Sequence, residues 1–139
     1  MFNASDNIDE IKVLCSSIPN CSIIKLNFNS GVAYALMKGV HYAVVNYRPE
    51  WLLFLDDDTM VLRNAVKTAL TIYEKTPINV KRIGLIKLST SDGDCKIYET
   101  HHNAFSGTLI KSHVAVKTCC RVNFFLDQAD HDLYARVRE

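Results

Sequence analysis

Long apolar runs are missing: no stretch of this 139-residue chain approaches the ~20 residues that a bilayer span needs. The first ten residues, MFNASDNIDE, lack the basic and apolar regions of a secretory leader. The expectation is a cytoplasmic chain with no transmembrane segment. Neither sign of charge is in excess, since 16 Lys and Arg stand against 15 Asp and Glu. That balance argues against a nucleic-acid partner, which would call for a basic surplus. Proline and glycine are scarce, at three and five, and they gather into no linker. With no repeat or low-complexity segment either, residues 1–139 read as a single domain. The five cysteines, Cys15, Cys21, Cys95, Cys119 and Cys120, form no C-x-x-C pair. Zinc ribbons and disulfide frameworks are therefore not suggested, and buried free thiols are the default, with pairing left open. His41, His101, His102 and His113 lack the helical or cysteine partners of metal ligands.

What is present is an alternation of helical and strand-like patterns. Ile8, Ile11 and Leu14 or Cys15 recur at helical spacing over residues 6–15, with Ser5 or Asp6 as candidate N-cap. Residues 22–27 (SIIKLN) read as a short strand and Asn29-Ser30-Gly31 as a turn. A second helical pattern runs from Val32 to about Val45 and stops at Arg48-Pro49-Glu50. Trp51–Leu55 is apolar at every position, the signature of a strand covered on both faces in a parallel sheet. Leu62 to Tyr73 is helical again, Arg82–Leu88 is strand-like, and Ser91–Asp94 is turn-like. Towards the C-terminus, Phe105–Ile110 suggests a strand, Lys111–Lys117 a short helix and Asp130–Arg138 another. The order implies an α/β fold with right-handed crossovers.

The strand WLLFL runs directly into Asp56, Asp57 and Asp58. Ligands of open parallel sheets bind beyond the carboxyl ends of the strands. On an extended chain Asp56 and Asp58 would point to one side and Asp57 to the other. Two such carboxylates suit a hard cation, Mg²⁺ or Mn²⁺, which would also relieve their mutual repulsion. The structural alternative is that the triplet caps the following helix. A second acidic group follows at 127-DQADHDLYAR-136. Its plain reading is a helix start with acidic residues in the first turn and Arg136 paired to Asp132 at i+4.

Three blocks, 29-NSGVAYALMKGV-40, 52-LLFLDDDT-59, and 106-SGTLI-110 followed by 124-FFLDQADHDLYAR-136, occur in the order found in a known family. With them the chain resembles the family 2 glycosyltransferases of the GT-A fold, in particular their rhamnosyltransferase-like and galactofuranosyltransferase-like branches. The resemblance implies a Rossmann-like, mostly parallel sheet flanked by helices. It implies transfer of a sugar from a UDP-, GDP- or dTDP-linked donor to a glycan, lipid-linked or protein acceptor, with inversion. By this resemblance Asn29, Gly31, Asp56 and Asp57 border the donor, and Asp56 and Asp58 hold the metal. Asp130 is the catalytic base, and Ser106, Gly107, Asp127, His131, Asp132 and Arg136 stand on the acceptor side or support the site. The chemistry is consistent, since a departing nucleoside diphosphate needs a cation and an attacking hydroxyl needs a base.

The resemblance is incomplete. The family's opening strand–helix unit has no counterpart here, Met37 stands where Asn is common, and the chain stops at Glu139. A truncated domain is expected, in which SIIKLN and WLLFL pair directly or leave strand edges for a second copy to cover. Two alternatives follow. One is a sugar-nucleotide-binding remnant or partner-dependent subunit. The other is a haloacid-dehalogenase-type phosphatase with Asp56 as nucleophile, disfavoured because Met60 stands in the Thr position.

Overall fold

The computed structural model describes residues 2–3, 8–77, 82–89, 104–125 and 128–138. Along the chain these form β1 (Phe2–Asn3), α1 (Ile8–Ser16), β2 (Ile24–Lys25), α2 (Gly31–Tyr47), β3 (Trp51–Phe54) and α3 (Ala65–Lys75). They continue with β4 (Leu85–Lys87), β5 (Thr108–Lys111), α4 (Ser112–Thr118) and α5 (Ala129–Arg138). The expected α/β alternation is present. The expected turn at Ser91–Asp94 and the N-cap at Ser5 or Asp6 lie outside the described residues.

Punctuation sets the helix ends. Arg48 takes a left-handed conformation and closes α2 through its N–H to Val44 O, one residue before Pro49. Thr76, just before Pro77, ends α3 in an extended conformation. Leu62 belongs to the loop before α3 and is exposed, so that helix starts three residues later than the apolar spacing implies.

The sheet corrects the expectation of a mostly parallel one. Among the described residues a three-stranded sheet has the order β3-β5-β4, and both pairings are antiparallel. Of the described strands only β1 and β2 pair in parallel, as a separate two-stranded sheet. The all-apolar composition of WLLFL says nothing about strand direction. Of its residues Phe54 is buried, Trp51, Leu52 and Leu53 are half-buried, and Leu55, just past the strand, is exposed. The deepest strand is β5, where Thr108, Leu109 and Ile110 are 0–2% exposed. Its central place separates β3 from β4, which run in the same direction without touching edge to edge. SIIKLN contributes β2, which pairs with β1 and not with WLLFL, so the outer edge of β3 pairs with no strand among the described residues.

Around β5 the core gathers Val40 of α2, Phe54 of β3, Phe105, Ile110, Ala115 of α4 and Leu133 of α5. Burying side chains of this size contributes about 1.5–3 kcal/mol each, which holds α2, α4 and α5 against β3 and β5. On the sheet's other flank Trp51 packs edge-on against Tyr73 of α3 at 5.2 Å between ring centroids. Lys111 Nζ lies 5.5 and 5.2 Å from those two rings. This accounts for Trp51 as a packing residue.

Among the described residues two disulfides replace the free-thiol expectation for four of the cysteines, and Cys95 lies outside those residues. Cys15, at the end of α1, is bonded to Cys21 with their Cα atoms 5.4 Å apart, and the adjacent Cys119 and Cys120 are also bonded. A spacing of six lies outside the C-x-x-C pattern, so composition gave no sign of the first pair. No helix among the described residues is long and apolar enough to cross a membrane.

Candidate functional site

The turn that precedes β5 organises the site. Thr108 N–H returns to Phe105 O at 3.1 Å, and Gly107 sits at the third position of this turn with φ +74°. A type II turn requires that conformation, which excludes most side chains. Gly107 N–H donates to Phe54 O, the last residue of β3, and Leu88 N–H donates to Gly107 O, both at 2.8 Å. The turn is thus bolted to the ends of both neighbouring strands.

From this turn side chains and backbone reach in two directions. Towards β3, Ser106 Oγ accepts the N–H of Asp56 at 2.9 Å and shares a hydrogen bond with Thr59 Oγ1 at 2.6 Å. Towards α5, the backbone of Phe105 hydrogen-bonds the carboxyl of Asp130. The hydroxyl of Tyr134, one turn along α5, meets Thr108 Oγ1 at 2.8 Å and donates to Ala104 O at 3.4 Å. Lys87, at the end of β4, donates to the carbonyls of Ala104 and Ser106. Asp56 and Asp130, 74 positions apart in sequence, are in this way held by one four-residue turn.

The electrostatics follow the same geometry. Partial burial is the main reason the Asp130 carboxyl lies above the usual carboxylate range. The Phe105 hydrogen bond opposes that shift, the charge of Asp56 adds to it, and His131 and Lys87 oppose it. Asp56 is likewise raised, first by partial burial, then by the charge of Asp58, with Ser106 pulling the other way. Lys87 lies below its ordinary value because of burial, while Asp130 and Asp56 both support its charge. Lys87 and Asp130 therefore each sense the other two groups, and Asp56 senses Lys87.

The triplet itself departs from the extended geometry. The strand ends at Phe54, and Asp57 and Asp58 occupy a turn in which Thr59 N–H approaches Asp56 O at 3.4 Å. Strict alternation of side-chain direction therefore does not apply. Asp58 nevertheless influences Asp56 more than Asp57 does. Helix capping no longer accounts for the triplet, because α3 begins at Ala65 behind Asn64, six residues after Asp58. Asp57 and Asp58 are exposed and Met60 is 92% exposed, so this side of the site is open.

The remaining sequence candidates divide. Gly31 opens α2 with φ +72°, and a Cβ there would lie 2.1 Å from Phe125 O. Val32 N–H donates to the same carbonyl at 2.9 Å. This packing alone requires glycine, and Asn29 Oδ1 accepts the Gly31 N–H at 3.4 Å. Arg136 supports the fold: its guanidinium donates to Thr118 O at 2.6 Å and Lys117 O at 3.0 Å, closing the C-terminal end of α4. It also lies 3.9 Å from Asp132, at the i+4 spacing expected, and Arg121 reaches the same carboxylate at 3.5 Å. His131 is exposed beside Asp130. Asp127 lies outside the described residues.

Lys87, Thr59 and Tyr134 were not among the sequence candidates. Lys87 and Tyr134 act on backbone carbonyls or a buried hydroxyl, targets that leave no motif. The one available signal was a lysine next to last in the expected strand Arg82–Leu88, whose interior is otherwise apolar.

A family model for glycosyl transferase family 2 matches residues 3–111. The match covers well over half the chain and includes the triplet, Lys87 and the Ser106 turn. It ends before α5, so Asp130 rests on its geometry and on the short motif around it. No curated protein and no solved structure matches the chain.

Proposed function

The chain belongs to glycosyl transferase family 2, and from that premise we propose that it transfers a sugar from a UDP-, GDP- or dTDP-linked donor. The acceptor is a hydroxyl of a glycan, lipid-linked or protein molecule, and the reaction is an inverting single displacement. The observation that carries this reading is the convergence of Asp56 and Asp130 on one turn, from elements far apart in sequence. A carboxyl above its usual range is a stronger base once ionised, which suits Asp130 to receive the acceptor proton as the hydroxyl attacks. Because the attack is direct, no carboxylate needs to bond the sugar. In this reading Asn29, Gly31 and Asp57 border the donor, while Ser106 and Gly107 hold the two carboxylate-bearing elements at a fixed separation.

The donor set also fits a divalent cation. Asp56 and Asp58 offer hard oxygen ligands and repel one another. No group of three His, Cys, Asp or Glu among the described residues forms a complete protein cage. A Mg²⁺ or Mn²⁺ ion held by one or two carboxylates takes its remaining ligands from substrate phosphates and water. When bound it would neutralise charge on the departing diphosphate. The GT-A architecture belongs to the same proposal, supported by β3 and β4 running in one direction on either side of β5.

The outer edge of β3, which pairs with no strand among the described residues, favours one second reading, a binding domain completed by a further strand from elsewhere. The family match removes the basis for the phosphatase alternative.

The test titrates UDP-, GDP- and dTDP-sugars into the wild-type chain and Asp58→Ala, with and without Mn²⁺. The proposal expects Mn²⁺-dependent binding of at least one donor, lost in the variant, and sugar transfer or slow donor hydrolysis. Tight binding without turnover supports the second reading. Absence of cation-dependent binding across the panel overturns the donor site.

A further inference from the structure

Lys87 is the charged side chain of β4, and its ammonium turns inward to the loop before β5. It donates to Ala104 O at 2.9 Å and to Ser106 O. A Cβ placed on Gly107 would lie 3.6 Å from the same Nζ, so the group sits inside the curve of the turn. Of the two residues it grips, Ser106 takes the Asp56 N–H through its Oγ, and Phe105, which lies between them in the chain, bonds the Asp130 carboxyl through its backbone. Its charge also acts on both of them.

An apolar side chain of the same length would fill the space but leave two carbonyls without these donors. A lysine that served only the turn would have no reason to sit where the charges of two carboxylates both act on it. We propose that Lys87 is a positioning residue for sugar transfer, an ammonium clamp on the Ala104–Ser106 turn that sets Asp56 and Asp130 relative to one another. This deepens the proposed function and rests on it. Lys87 touches the turn and not the reacting atoms, so its influence passes through the two carboxylates.

Three proteins test the clamp: the wild-type chain, Lys87→Met, which keeps the stem and removes donors and charge, and Lys87→Arg, which restores both. The first readout needs no ligand and follows the Asp130 carboxyl carbon by NMR as pH is varied. The groups facing that carboxyl are Asp56, Lys87, His131, Tyr134 and the Phe105 backbone. Removing a cation disfavours the ionised form, so Lys87→Met should move the Asp130 midpoint to higher pH and Lys87→Arg should return it towards wild type. The second readout is Mn²⁺-dependent turnover of whichever panel donor binds. A misplaced base costs up to about 10²-fold, so kcat should fall by about that factor in Lys87→Met with KM little changed, and recover largely in Lys87→Arg. An Asp130 midpoint that stays put in Lys87→Met, or a kcat loss that Lys87→Arg fails to recover, overturns the clamp. If no panel donor is turned over by wild type, the transferase reading fails while the NMR titration still decides whether Lys87 governs the carboxylates.

Discussion

Two loops face one another across the candidate site, and they are built in opposite ways. The turn at Phe105–Thr108 is saturated: its backbone and Ser106 bond to β3, β4, α5 and one another, and Phe105, Gly107 and Thr108 are buried. The Asp56–Met60 loop is tied to that turn through the Asp56 N–H and Thr59, and its other side chains face solvent. One wall of the site is therefore finished by folding. The other is open, and in the proposed reading a cation shared between two carboxylates and a diphosphate would finish it. Positions on the first wall should govern stability and base placement, and positions on the second should govern binding alone.

The largest effect should come from the finished wall. Asp130→Asn is expected to lower transfer by about 10²–10⁴-fold, the usual contribution of a positioned base, read as kcat with the identified donor. The same change should not destabilise the fold at neutral pH. A carboxyl raised above its unfolded value binds its proton more tightly when folded, so its ionised form costs stability that returns as pH falls through the folded pKa. Asparagine resembles the protonated form, and thermal melts at pH 7 should show Tm unchanged or higher. A large loss of Tm would mean that Asp130 is structural.

Next comes the strand behind the turn. Ile110→Ala, at a fully buried position, should cost about 2–5 kcal/mol in urea unfolding. Gly31→Ala should cost on the order of 1–3 kcal/mol, because a side chain at φ +72° also meets the Phe125 carbonyl. Equal loss of donor binding and stability in that variant would trace Gly31 to packing. Smallest of all, Met60→Ser on the open wall should fall within about 0.5 kcal/mol of wild type. A larger loss would show that this loop is packed, and the contrast between the walls would break.

The sequence revealed one wall better than the other. Asp56, Asp57 and Asp58 stand out because three adjacent carboxylates after an apolar strand demand a reason. Pro49 and Pro77 likewise marked where α2 and α3 stop. The turn was harder to see, since Ser106-Gly107 by itself is only a tight bend and its bonds run to backbone groups of distant segments. Strand order was also hidden: TLIK is too short to show periodicity, and nothing in it says that it lies between β3 and β4. Cys15 and Cys21 are brought together by the chain reversal after α1, which residue spacing alone does not encode.

The central claim is that Asp56 and Asp130 belong to one site. It is tested most directly by titrating the Asp130 carboxyl by NMR in the ligand-free wild-type chain and in Asp56→Asn. Because the Asp56 charge helps to raise Asp130, the wild-type midpoint should lie above the ordinary aspartate value and drop when that charge is removed. An Asp130 midpoint in the ordinary range, indifferent to Asp56→Asn, would place the two carboxylates in separate surroundings and contradict the account.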